Sequence, residues 1–184
     1  LLEYLHQTQK VNLNHIQRLN TYKIEEYMVI DYSTRRNLEL TETMREKSRK
    51  GTLLWVLDRT MTSMGGRCLR KWIEQPLINT YDIYERLNGI EELKEKFMAR
   101  MELRELLKRV YDIERLMSKV TLGSVNCRDL IALKNSLEQV PYIVDILKDC
   151  ESSLLTRIYN GLDPLEDICS LIEKSIVDDP PVAI

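Results

Sequence analysis

Four cysteines and two histidines are the side chains of this sequence that could bind a transition metal or act as nucleophiles. The cysteines are separated by 59, 23 and 19 residues and are Cys68, Cys127, Cys150 and Cys169. Zinc sites usually draw their ligands from closely spaced pairs, and no such pair occurs. His6 and His15 are nine residues apart, which is not the i, i+4 spacing of a helical metal pair. We therefore expect reduced cysteines on helix faces and no metal site.

The remaining candidates for catalysis are equally sparse. A phosphate-binding loop needs closely spaced glycines followed by Lys and Ser or Thr, and none of the six glycines opens such a loop. Catalytic triads assemble from distant positions, but both histidines lie within the first 15 residues. We expect the adjacent acids Glu25-Glu26 and Glu91-Glu92 to face solvent. The sequence therefore predicts no catalytic, cofactor-binding or metal-binding residues, and an enzyme site within 35–71 is the disfavoured alternative.

Charge is distributed unevenly along the chain, although the net charge is only −2. Residues 35–71 contain ten basic and four acidic residues, whereas residues 145–184 contain three basic and nine acidic residues. A basic stretch can contact phosphates, and it can equally be a solvated face that pairs with neighbouring acids. We favour the second interpretation and leave DNA-binding residues unassigned. The acidic stretch would repel DNA.

Composition predicts a mainly helical fold. Hydrophobic residues make up 43% and charged residues 30%, which excludes a disordered chain. Gly and Pro together number only 11 of 184 residues, and Leu, Glu, Lys and Arg are abundant, so long helices are expected. No apolar run reaches the ~18 residues of a membrane helix. The chain begins at Leu1 within a helical pattern and stops at an apolar Val182-Ala183-Ile184, so we expect an internal piece of a longer protein.

The first half of the sequence predicts one short strand among helices. Tyr27–Ile30 is the best strand candidate and would pair with residues near 16–22 in a small β element at about 16–30. Ser33 or Thr34 is expected to cap the next helix. Short helices at 53–58 and 64–75 follow, with Trp72 buried between them. The next helix begins at Asn79 or Thr80, and its expected buried face carries Ile83, Leu87, Ile90, Leu93 and Phe97.

The second half is more regular. Helices are predicted at about 101–110 and 112–121, the latter capped by Asp112. Between 126 and 148 the apolar residues recur at steps of three and four, as in a coiled-coil seam; they are Leu130, Leu133, Leu137, Val140, Val144 and Leu147. Asn126 is the expected N-cap, and Pro141 makes the run either two helices or one kinked rod. Asp163 and Pro164 are expected to begin the last helix.

Several motifs in the sequence resemble one known family. The longest lies at Thr34–Leu77 and reads TRRNLELTETMREKSRKGTLLWVLDRTMTSMGGRCLRKWIEQPL. Its most distinctive part matches the family pattern M-G-x-R-x-L-x-x-W-x-x-x-P-L, with Arg67 and Trp72 among the matching positions. Downstream, D-x-E-R-L falls on Asp112–Leu116, and R-D-L-x-x-L-x-x-x-L begins at Arg128. Together these motifs resemble the core (lever) domain of the MutS family of DNA mismatch-repair proteins over essentially the whole chain.

The resemblance implies a function that belongs to a larger parent protein. Members of the family bind mismatched duplex DNA as homodimers, hydrolyse ATP with Mg²⁺ in a separate domain and recruit a MutL-like repair partner. This chain has neither the family's mismatch-reading Phe-x-Glu motif nor a Walker loop. The resemblance therefore implies a non-enzymatic core module of a DNA-dependent ATPase, acting in the bacterial cytosol near the nucleoid, without a membrane. The alternative is a helical adaptor domain unrelated to DNA repair.

The resemblance also implies a division of the chain. Residues 1–125 would form a helical core subdomain containing the small β element, and residues 126–184 would form lever helices leading toward a clamp domain. A continuous helix of about 22 residues in the 126–148 region would span about 33 Å. Such a rod could transmit a two-state change between a nucleotide site and a DNA clamp elsewhere in the parent.

Overall fold

Helices make up most of the part of the chain that the structure describes, which is residues 26–177 and 179–181 of a computed structural model. In chain order they are α1 Tyr32–Asn37, α2 Leu53–Leu57, α3 Ser63–Glu74, α4 Thr80–Glu95, α5 Phe97–Leu107, α6 Ile113–Thr121, α7 Cys127–Leu137, α8 Val140–Leu147, α9 Ser153–Gly161 and α10 Glu166–Ser175. The predicted mainly helical fold is therefore confirmed.

The strand candidate forms a single antiparallel bridge, between Tyr27 and Leu77. The amide of Met28 donates to the carbonyl of Pro76 at 2.8 Å, and the amide of Ile78 donates to the carbonyl of Glu26 at 3.3 Å. The predicted partner at 16–22 lies outside the described residues. No sheet occurs within the described residues, because this contact does not extend into a ladder.

Polar side chains begin many of the helices at the predicted positions. Asn79 and Asp112 accept hydrogen bonds from the first turns of α4 and α6. Asn126 and Asp129 form a reciprocal capping box at α7, in which each side chain accepts from the other's backbone amide. The prediction at α1 was wrong by two or three residues: Asp31 is the N-cap, and its carboxylate accepts from the Thr34 amide at 2.6 Å.

The predicted start of the last helix was also wrong. Asp163 does not cap α10; its carboxylate accepts a hydrogen bond from the Leu165 amide at 3.0 Å, closing a local turn. Leu165 then adopts a left-handed conformation with φ of 50°, and α10 begins at Glu166 without a side-chain cap. A leucine in this conformation is strained, because its Cβ crowds the backbone. The turn made by Asp163 competes with the helical geometry that its residue type favours at an N-cap.

Two apolar clusters hold the helices together. The first cluster joins α5, α8 and α9 through Leu103, Leu147, Cys150 and Leu155, with Leu93 of α4 packed against it. The second cluster joins α6, α7 and α10 through Leu116, Leu133, Leu137 and Ile172. Both clusters contain residues from either side of position 125. The division into subdomains at that position stays a prediction.

The coiled-coil-like run between 126 and 148 folds as two helices. Glu138 and Gln139 separate α7 from α8, and Pro141 lies in the first turn of α8, where its missing amide is not needed. At 1.5 Å per residue the two helices are about 16 Å and about 12 Å long rather than one rod of about 33 Å. The predicted seam is also divided: Leu133 and Leu137 pack in the second cluster, whereas Leu147 packs in the first.

The buried face of α4 matches the predicted one only in part: Ile83 and Leu93 are partly buried, and Leu93 packs on the first cluster. Leu87 and Ile90 are 50% and 58% exposed, and Phe97 at the start of α5 is 54% exposed. The buried residues of α4 are Glu85 and Gly89. Trp72 was predicted to be a buried anchor but is 39% exposed. The guanidinium of Arg86 lies over its ring, 3.8 Å from the ring centroid. Polar contacts of this helix with α9 and the residues just before it account for this orientation of α4.

Candidate functional site

An arginine on α3 joins the two most distinctive sequence motifs. The Arg67 guanidinium donates to both carboxylate oxygens of Asp112, from Nη1 at 2.8 Å and from Nη2 at 2.7 Å. It also donates to the Glu114 carboxylate, from Nε at 3.1 Å and from Nη2 at 2.6 Å. Asp112 simultaneously caps α6 by accepting from the Arg115 amide at 3.2 Å. One guanidinium therefore holds the N-terminus of α6 against α3 across 45 residues of sequence.

The charges in this contact stabilise one another. The hydrogen bonds from Arg67, opposed by partial burial and assisted by the Arg115 amide, lower the pKa of Asp112 below its usual value. The hydrogen bonds to Asp112 and then to Glu114 raise the pKa of Arg67 further above its already high value. A bidentate guanidinium–carboxylate pair fixes orientation as well as distance, because both groups are planar. The contact is thus a directional link between two helices.

A carboxylate on α4 forms a second link, to the beginning of α9. Glu92 accepts from the backbone amides of Glu151 at 2.7 Å and Ser152 at 2.8 Å, and from the Lys96 ammonium at 2.8 Å. Burial alone would raise the pKa of Glu92, but the hydrogen bonds from Lys96, Ser152 and the two amides outweigh it and lower the pKa to about 2. Glu92 therefore satisfies amides at a helix N-terminus that would otherwise lack partners. The prediction that Glu91-Glu92 faces solvent was wrong for Glu92.

The same face of α4 makes two further contacts with α9. Glu85 accepts from Arg157 at 3.1 Å, and its pKa is lowered by the side chain of Ser153 and then by Arg157. Gly89 lies between the two carboxylates, and a Cβ built there would stand 3.3 Å from Leu154 Cδ2. A side chain at position 89 would thus press against α9. The helix α4 turns its carboxylates and its glycine toward α9, which leaves Leu87 and Ile90 exposed.

Several arginines of the basic stretch pair with acids, as the favoured interpretation predicted. Arg49 pairs with Asp58, and Arg70 pairs with Glu74 at 3.0 Å within α3. Hydrogen bonds from Thr60 and then from Arg49 lower the pKa of Asp58, although burial opposes them. Arg67, in the same stretch, pairs with Asp112 and Glu114. Half-exposed pairs of this kind contribute little to stability individually, and the bidentate network of Arg67 is the strongest among them.

The structure does not bring the sequence's potential metal ligands and nucleophiles together. Among the described residues, no group of three or more His, Cys, Asp or Glu side chains could hold a metal ion. All four cysteines are free thiols, and burial raises the pKa of Cys150 and of Cys169 above the usual range. His6 and His15 lie outside the described residues. In the described part of the chain, no helix is both long and apolar enough to cross a membrane.

These contacts define the chain as a helical scaffold module whose polar side chains are used to fix helices to one another. Comparison with known proteins names its family. The family MutS domain III matches residues 33–184, and the chain belongs to that family. It is 68% identical over 184 residues to the DNA mismatch repair protein MutS of Acetivibrio thermocellus and 70% identical over 184 residues to that of Ruminiclostridium cellulolyticum.

A less similar relative has the same name. The chain is 50% identical over 184 residues to the DNA mismatch repair protein MutS of Alkaliphilus oremlandii. Each of these three alignments covers 100% of this chain and 21% of the relative, so the chain spans about a fifth of the relatives' length. The resemblance stated from the motifs is confirmed, and the alternative of an unrelated helical adaptor is not favoured.

Sequence reasoning missed the residues that make the links. Arg67, Asp112 and Glu114 each lie in a motif, but the sequence predicts no contact between them and assigns Asp112 only the role of a helix cap. Two acids close to the start of a predicted helix could have indicated the contact, because an arginine from another element can bind both carboxylates there. Glu92 gave no comparable signal, because its partners are backbone amides.

Proposed function

We propose that this chain is the core module of a MutS-like mismatch-repair protein and couples ATP-driven changes in the parent protein to its grip on mismatched DNA. The parent would be a DNA-dependent ATPase that uses ATP and Mg²⁺ in a domain outside this chain. It would act as a homodimer in the cytosol with a MutL-like partner. Membership of the MutS domain III family supports this proposal, as do the names of the relatives.

The observation that carries the coupling role is the contact of Arg67 with Asp112 and Glu114. A module that transmits a displacement must hold its helices in a defined orientation, because loosely joined helices absorb the displacement. The guanidinium joins α3 to α6 through four hydrogen bonds, and α6 packs in turn on α7 in the second cluster. A displacement of α3 would therefore move α7 through directional contacts.

The test replaces Arg67 with Ala in the full-length protein that carries this domain. A fluorescent mismatched duplex is bound first, and its release is followed after ATP is added. We expect release to slow by about 2- to 30-fold, because residues in a coupling network alter coupling by about 0.5–2 kcal/mol. The matched control is Lys108→Ala, which removes a half-exposed pair with Glu105 inside one short segment and should leave the rate unchanged.

A second variant tests the packing that lies between the link and α7. Leu133 and Leu137 are 6% exposed, and their replacement with Ala would loosen the second cluster. We expect the double variant to weaken ATP-induced release in the same direction as Arg67→Ala. If both variants remain folded by circular dichroism and release DNA at the normal rate, this domain does not couple ATP to DNA.

A further inference from the structure

Three cations of the basic stretch lie at one surface groove without a direct ion pair in the described part of the chain, although Arg35 also attracts the nearby carboxylate of Asp31 at longer range. Among the described residues, Arg35, Arg36 and Lys47 form no ion pair, in contrast to Arg49, Arg67 and Arg70. All three line a groove of about 380 Å³ formed by α1, the loop at 41–47 and α3. We call this the basic groove.

The basic groove has a net positive charge. Arg70 also lines it, and its acidic lining residues are Glu42 and Glu74, so four cations stand against two acids with a net charge of +2. Glu74 is already engaged by Arg70. Charge that is not compensated within the protein attracts an external anion.

Local structure holds two of the three cations in place. The Nε of Arg35 donates to the carbonyl of Ile30 at 3.1 Å, which leaves its terminal nitrogens to meet a ligand. Lys47 has a left-handed backbone with φ of 49°, in a turn closed by hydrogen bonds of its own amide and the Ser48 amide to Thr43. This strained backbone conformation persists because the hydrogen bonds of the turn hold it. The position of Lys47 is therefore fixed by a defined turn.

We propose that the basic groove binds the phosphate backbone of duplex DNA, so that this module contacts DNA directly as well as relaying movement. The inference rests on the proposed function, since that function brings DNA to the parent protein. Guanidinium groups match phosphate oxygens bidentately, and hydroxyl groups commonly complete such contacts. Tyr32, Thr41 and Thr43 supply hydroxyls in the groove. The contact carries no sequence information, because it involves no base edges.

The test measures binding of the 184-residue chain to a fluorescent, perfectly matched duplex of about 30 base pairs, without nucleotide. The variant reverses three charges, Arg35→Glu, Arg36→Glu and Lys47→Glu. The control makes the same change in net charge at exposed lysines outside the groove, Lys94→Glu, Lys148→Glu and Lys174→Glu. Fluorescence anisotropy is recorded at about 50 mM and about 150 mM salt.

We expect weak binding that falls about 20-fold between the two salt concentrations, because each neutralised phosphate contributes about −0.9 to the slope of log K against log salt. The groove variant should bind at least about tenfold more weakly, and its slope should be smaller by about 3. The control variant should keep the wild-type slope, because it loses no phosphate contact. Equal slopes for the two variants would overturn the proposal.

Two additions keep the result interpretable. The double variant Arg36→Gln and Lys47→Gln leaves the hydrogen bond of Arg35 intact, and it should reduce the slope by about 2 even if the triple variant unfolds. Polyglutamate is added as a competitor; if it displaces DNA at equal charge concentration, the groove binds an acidic protein segment and the DNA proposal fails. Failure here would leave the ATP-release test unaffected, because that test uses other residues.

Discussion

The guanidinium of Arg67 meets the carboxylate of Asp112 end-on with two parallel hydrogen bonds of 2.7 and 2.8 Å. Asp112 uses one of the same oxygens to cap α6. The Asp112 carboxylate thus caps the N-terminus of α6 and also binds a side chain of α3. Neither role alone would require an arginine 45 residues away. The pairing explains why two separate motifs of the sequence contain charged residues at these positions.

Replacing Arg67 with Ala should lower the free energy of unfolding by more than the loss of an ion pair within a single helix does. The change leaves Asp112 and Glu114 without their shared partner, and a bidentate network is worth more than a single surface pair. The matched control is Arg70→Ala, whose pair with Glu74 joins residues four apart in the same helix and should contribute less than about 0.5 kcal/mol. Urea denaturation followed by circular dichroism measures both. Equal losses would contradict the tertiary role of Arg67.

Replacing Glu92 with Gln should remove a pH-dependent part of the stability. The pKa of Glu92 is lowered to about 2 in the folded chain, so its contribution is complete above the unfolded value near 4.5 and is lost as pH falls toward 2. At neutral pH we expect a loss of about 1–3 kcal/mol, and below pH 4.5 the difference from wild type should shrink. Urea melts at several pH values test this. The control is Glu91→Gln, at an exposed neighbouring residue, which should change neither the free energy of unfolding at neutral pH nor its dependence on pH.

Replacing Gly89 with Val should destabilise the contact between α4 and α9. A Cβ alone would already stand 3.3 Å from Leu154, and the two additional methyl groups of Val have no space there. We expect a loss of about 1–3 kcal/mol, which is typical of overpacking. Gly161→Val is the control, since a Cβ at that helix end meets no atom within 4 Å. Thermal melting points that fall equally in both variants would argue against a close approach at Gly89.

Replacing Ser136 with Ala should cost about 1–2 kcal/mol. Ser136 is fully buried, and its hydroxyl donates to Ala132 at 2.7 Å while accepting from the Tyr111 amide at 2.9 Å. The variant leaves that amide without a partner at the junction of α5 and α6. Ser175→Ala is the control, because the Ser175 hydroxyl bonds only to Leu171 on its own helix. Amide hydrogen exchange at Tyr111 should accelerate in the first variant alone.

Sequence reasoning succeeded where an element is determined by its own residues. The cap at Asn126 and the end of the helix predicted at 64–75 depend on atoms within a few positions, and both are observed. It was wrong for Leu87 and Ile90 of α4, because carboxylate contacts to α9 help to decide which face of that helix is buried. It failed on α10 because the Asp163 side chain can close a turn as readily as it can begin a helix.

The division of the 126–148 run has a mechanical consequence. Leu133 and Leu137 anchor α7 in one packed body, and Leu147 anchors α8 in the other. A rotation of one cluster against the other would bend all three connections between them, at 108–112, 138–139 and 162–165, since close-packed interiors resist shear more than short connections resist bending. The 126–148 run therefore belongs half to each cluster, and it is jointed at Glu138 and Gln139 rather than built as a single beam.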